Sequence, residues 1–138
     1  ILTCALVLPA TSIDPVAWFN VSSRCAGYFD AISGYLRPMD EQTAKHAKGL
    51  GVRYTEIANL LDYLNNETRD KSEDISAAKL DELYNYAFSD MISVLEASKG
   101  SEVQSLLLDD RKAGQGVRGR AQQNLAVCFK MLGEVEKN

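Results

Sequence analysis

Histidine is almost missing from this 138-residue chain: His46 is the only one. A zinc site would need further His or Cys ligands, and a Ser-His or Cys-His relay has a single imidazole to draw on. Proline is scarce, with three residues at positions 9, 15 and 38. The long proline-free stretches between and after them, rich in Ala, Leu, Glu and Lys, favour helix. There is no basic excess: 19 acidic residues outnumber 15 basic ones for a net charge of −4, which argues against a nucleic-acid footprint. No Cys-x-x-Cys-His run exists, which removes c-type haem, and no Gly-x-Ser-x-Gly marks a hydrolase elbow. Alternating strand patterns, internal repeats and low-complexity tracts are also missing, and no apolar run is long enough to span a bilayer.

What is present is an ordinary globular mixture, 46% hydrophobic and 25% charged, of a length that makes one domain with a real core. Residues 1–12, ILTCALVLPATS, stand apart. They carry an apolar run to Leu8, a breaker at Pro9 and then small residues. This is the pattern of the back half of a secretory signal peptide, with cleavage expected after Ser12 and the basic n-region truncated. A buried N-terminal strand or helix is the alternative. The remainder, residues 13–138, reads as a single helical domain exported to the periplasm or secreted, with no stable membrane span once the signal is cleaved.

Four helices are expected. Asp14 caps the first and Pro15 occupies its first turn. Its apolar stripe is Trp18, Cys25, Phe29, Ile32 and Leu36, with Gly27 and Gly34 allowing close helix contact, and it stops at Arg37-Pro38. The second starts at Asp40 and runs through Ala47, Leu50, Tyr54, Ile57, Leu61 and Leu64 to a turn at Asn65-Asn66, with a bend expected around Gly49 and Gly51. The third, capped by Ser72 or Ser76, carries Leu80, Leu83, Tyr84, Ala87, Met91 and Leu95 and stops near Gly100. Residues 101–110 read equally as a short helix or a connection. The fourth runs from about Asp110 to Glu136, with Ala121, Leu125, Cys128 and Leu132 on its stripe. The fold class is therefore all-α, an up-down four-helix bundle.

Removal of residues 1–12 leaves two cysteines, Cys25 and Cys128, and an oxidising compartment favours their bonding. Each sits mid-helix on a buried stripe. In an up-down bundle helices 1 and 4 are neighbours, so the two meet at mid-height. The bond would link helices 1 and 4 and close most of the chain into one loop, worth about 4–5 kcal/mol in the chain-entropy account. Two separate buried thiols are the alternative.

Motifs that suggest chemistry lack their context. Gly114-Gln-Gly116-Val-Arg-Gly119 matches G-x-G-x-x-G, but no strand precedes it, so it reads as a small-residue face on helix 4. Carboxylates occur as neighbours, Asp40/Glu41, Glu73/Asp74, Asp81/Glu82 and Asp109/Asp110, which point to different helix faces and read as solvated charges. Asn20 and Asn66 head formal glycosylation sequons. His46 reads as a surface or boundary residue. No catalytic residue, cofactor or metal is expected.

Arg24-Cys25-Ala26-Gly27-Tyr28 and Asn124-Leu125-Ala126-Val127-Cys128 together resemble a loose group of small exported all-helical proteins of proteobacteria. These pair an early Cys-Ala-small helix with a late Leu-Ala-x-Cys helix. The resemblance covers both ends and implies a periplasmic all-α domain with one disulfide, and it carries no activity with it. The functional expectation is a non-enzymatic bundle that binds a protein or cell-envelope partner. Trp18, Phe19, Tyr28 and Tyr35 exceed what one narrow stripe buries, so they either form a binding surface or fill the core and its rim. The second expectation is a small-molecule carrier with an interhelical pocket lined by Tyr54, Tyr84 and Tyr86. An exported hydrolase with a carboxylate site ranks third, and homodimerisation through helix 1 is a further arrangement.

Overall fold

A computed structural model describes residues 14–98, 125–131 and 133. Three complete helices are α1 (Pro15–Leu36), α2 (Glu41–Asn66) and α3 (Ala77–Ser98), and residues 125–131 belong to a fourth, α4. Among the described residues there is no strand. The described residues form an all-α bundle of four helices, as the apolar periodicity predicts. Residues 1–12, the stretch 101–110 and the glycine motif at 114–119 lie outside the described residues.

Local chemistry sets the helix starts. The Asp14 carboxylate accepts from the Val16 amide at 3.0 Å ahead of Pro15. Asp40 accepts from the Thr43 amide at 3.1 Å and its hydroxyl at 2.6 Å. Ser76 is the cap of α3, accepting from the Lys79 amide at 3.1 Å, while Ser72 organises the preceding turn by accepting from the Asp74 amide. These side chains satisfy amide groups that the first helical turn leaves without partners. Asn65 does more than end α2. Its amide nitrogen donates to the Ser72 and Ile75 carbonyls and its oxygen accepts from the Ser72 amide. That clasp holds the 67–76 connection against α2 and keeps Ile75 buried with Phe19, Ala58 and Leu61.

The register follows from non-local pairs. Going from Asp30 back to Phe19 along α1, the partners on α2 advance from Lys48 through Tyr54 to Leu61, so the two helices are antiparallel. Over the same span, α3 partners run from Tyr84 back to Leu80, so α3 is parallel to α1. α1 is the hub. It packs along α2 and α3, which share little contact with each other, and it is bonded to α4.

The Cys25–Cys128 disulfide is formed, with the two Cα atoms 5.9 Å apart across a sequence separation of 103. Around it the core is aromatic. Phe29 stacks on Tyr54 with ring centroids 5.6 Å apart and meets Phe129 edge-on at 5.7 Å. The Tyr54 hydroxyl donates to the carbonyl of Cys128, giving that buried oxygen a partner and tying α2 to α4. Ser22 turns its hydroxyl back onto the carbonyls of its own helix. Ser23 and Ser33 are also buried on α1, and their hydroxyls have no hydrogen-bond partner among the described residues.

Two glycines decide how close the helices come. A β-carbon on Gly27 would strike the Tyr84 carbonyl and stand 3.1 Å from both the Ala87 β-carbon and the Phe88 nitrogen. α3 therefore rests on bare backbone there. Gly34, expected to do the same, faces open space. α2 runs unbroken as one helical element through Gly49 and Gly51. Gly51 instead makes room for Asp30, whose carboxylate occupies the place a side chain would take.

Candidate functional site

Because α1 is wedged between α2 and α3, those two helices diverge and leave a cleft of about 400 Å³ above it. Asp30 of α1 forms the floor. Lys48, Val52, Thr55 and Glu56 line the α2 wall, and Leu80, Asp81 and Tyr84 the α3 wall. The volume falls in the range of small-ligand sites, which combine apolar walls with a few convergent polar groups.

The floor is built from three helices. Oδ2 of Asp30 accepts from the Tyr84 hydroxyl at 2.5 Å, and Oδ1 lies 3.5 Å from the Lys48 ammonium. The Asp30 side chain is 15% exposed, that of Lys48 54%. Thr55 sends its hydroxyl hydrogen back to the Gly51 carbonyl at 3.0 Å, so only its lone pairs face the cleft. Among the described lining residues three carboxylates meet one ammonium, a net charge of −2.

Burial raises the Tyr84 phenol well above its ordinary value of 10.0, and the hydrogen bond to Asp30 and that carboxylate's charge add to the shift. At neutral pH Tyr84 is a fixed donor and a poor general acid. A prediction follows from the sign. The folded state keeps this proton to higher pH than the unfolded chain, so its contribution to stability is full below about pH 10 and declines as the pH climbs beyond it. Asp30→Asn removes the charge but leaves the burial. The Tyr84 transition, isolated as the difference in phenolate absorbance between each protein and its Tyr84→Phe counterpart, is expected to move down towards 10 and to stay above it. No movement would mean that Asp30 exerts no electrostatic hold.

The structure sorts the residues singled out from sequence. Phe19 and Tyr28 are buried, so they are corrected from candidate binding surface to core: the close packing of α2 and α3 on both sides of α1 covers more of that helix than one stripe. Trp18 and Tyr35 are half-buried against the same core. Trp18 also borders a smaller apolar hollow of about 250 Å³ with Val21, Val127 and Met131. Of the three tyrosines expected to line a pocket, Tyr84 does. Tyr54 is in the core, and Tyr86 is exposed without lining the cleft, because α3 turns it away from α1. His46 is exposed, Asn20 lies partly buried within α1, and Asn66 is exposed at the end of α2. Of the paired carboxylates, Asp40 caps α2, Asp81 enters the cleft and Glu82 is exposed.

Asp30 and Lys48 were not singled out from sequence. The available signal was an ionisable residue set among Ala26, Gly27, Phe29, Ala31 and Ile32 in the most apolar helix of the chain. A carboxylate is rarely buried in such a setting unless a partner is supplied, and here the partners come from distant positions.

Among the described residues, no group of three or more His, Cys, Asp or Glu is placed to hold a metal ion, and no helix is long and apolar enough to cross a membrane. No family model, curated protein or solved structure matches the chain. Fold and site together define a disulfide-bonded four-helix bundle with a charged interhelical cleft.

Proposed function

We propose that this is an exported, non-enzymatic helical-bundle protein that binds a small molecule in the cleft between α1, α2 and α3. The observation that carries this reading is the Asp30 carboxylate, mostly buried yet reaching the floor of an open cleft. A formed disulfide is compatible with the periplasmic or secreted location that residues 1–12 suggest. The test is a thermal-shift screen of small molecules against the wild type and Val52→Trp, which lays an indole across the cleft from an exposed position of α2. Compounds that stabilise the wild type are expected to lose that effect in the variant. A screen without hits, or hits that stabilise both proteins equally, would overturn the reading.

One observation favours a protein or cell-envelope partner as the second reading. Leu60, Tyr63 and Leu64 are 56%, 62% and 44% exposed at three-four spacing near the end of α2, an apolar face beyond scattered surface residues. Under this reading Leu60→Asp with Leu64→Asp abolishes capture of the partner from periplasmic extract, and unchanged capture would exclude this face.

A further inference from the structure

We infer that the cleft takes a small organic monocation: an ammonium head paired with Asp30 and an apolar body lying between Val52 and Leu80. This inference rests on the cleft being a binding site and names the chemistry of its ligand.

The floor is arranged to hold one carboxylate in place. Tyr84 donates to Oδ2 and fixes the plane of the group, while Gly51 leaves a side-chain-sized space that Oδ1 fills. A carboxylate so placed, mostly out of water, is costly unless a positive charge stands beside it. Among the described residues the cation lining the cleft is Lys48, and its hold is loose: 3.5 Å to Oδ1, from a side chain more than half exposed. The Lys48 end of the pair is solvated, so when a better-placed cation arrives to keep Asp30 compensated, Lys48 swings back into solvent. Its long stem lets it do so without moving α2.

The surrounding charge selects for the same sign. Glu56 and Asp81, both exposed, flank the opening on opposite walls, so an approaching cation meets a negative field and an anion is repelled. The carboxylates are not gathered as a metal ion requires, since the described residues contain no such group. Val52 and Leu80 offer the apolar contact that a bare metal ion has no use for. An alkyl- or arylammonium satisfies all of these features.

The test compares three probes of one chain length and different heads, n-hexylammonium, n-hexanol and n-hexanoate, by amide NMR titration of the whole protein. Hexylammonium is expected to shift the amides around Asp30, Gly51 and Tyr84 and to bind about tenfold more tightly than the other two. Lys48→Met removes the competing internal cation and is expected to tighten hexylammonium about threefold or more, while Asp30→Asn weakens it by about tenfold. Should Asp30→Asn fold poorly, the exposed pair Glu56→Gln and Asp81→Asn is expected to weaken binding in the same direction. If hexanol or hexanoate binds in the cleft as well as hexylammonium, or if Lys48→Met weakens the ammonium, the cationic assignment falls while the cleft remains a site. If none of the three probes shifts these amides, the cationic assignment falls, and a screen without hits would then remove the cleft reading as well.

Discussion

Replacing both bonded cysteines, as Cys25→Ala with Cys128→Ala, is expected to lower the Tm by roughly 10–15 °C. The bond spans 103 positions, and a loop of that length removes about 4–5 kcal/mol of chain entropy from the unfolded state. Alanine leaves no buried hydroxyl behind, so the loss reports the cross-link and the sulfur packing rather than a stranded polar group. α4 is the element exposed to the change. With the bond gone, α4 is still held by the Tyr54 hydroxyl on the Cys128 carbonyl and by packing such as Phe29 on Phe129. Calorimetry of the variant and the wild type checks the magnitude. Mass spectrometry after thiol labelling of the denatured, unreduced protein checks the bond itself. A Tm within two or three degrees of the wild type, or reactive thiols at both positions, would contradict the account.

The second large effect is expected at Gly27. Gly27→Ala drives a methyl group into the Tyr84 carbonyl, a backbone atom with no rotamer to escape into. α3 must move away from α1, and overpacking of this kind costs about 3 kcal/mol. Helix propensity alone points the other way, since Ala is favoured over Gly in a helix by about 0.5–1 kcal/mol. Gly34→Ala and Gly49→Ala, whose added methyls meet nothing, isolate that contribution and are expected to stabilise by about that amount. Urea unfolding of the three variants separates the two effects. A Gly27→Ala protein as stable as Gly34→Ala would show that α3 does not seat on α1 as described. Because Tyr84 lies at the point of collision, Gly27→Ala should also disturb its hydrogen bond to Asp30, linking the helix contact to the cleft.

Much of the architecture was legible from local patterns. Asp14, Asp40 and Ser76 cap where short polar residues ahead of an apolar period are expected to cap, because the physics of an unsatisfied amide is confined to one turn. Cys25 and Cys128 each lie on an apolar stripe that helical periodicity displays, while their meeting across 103 positions is the work of the tertiary fold. Periodicity left Phe19 and Tyr28 open between a binding surface and the core, and the structure places both in the core. One stripe does not bury them all, whereas a helix covered by neighbours on several sides leaves no free face for these two.

The amino-acid sequence by itself determined the helix starts and the apolar stripes, since each depends on interactions within a few residues or on a period of 3.6. The tertiary structure alone decided that α1 is the hub, that α2 and α3 stand apart and that a cleft opens over Asp30. Those outcomes depend on how closely two backbones approach at Gly27 and Gly51. They also depend on partners 18 and 54 positions away, Lys48 and Tyr84, converging on one carboxylate. Interhelical distance is set by the packing of the whole core, and no local pattern encodes it.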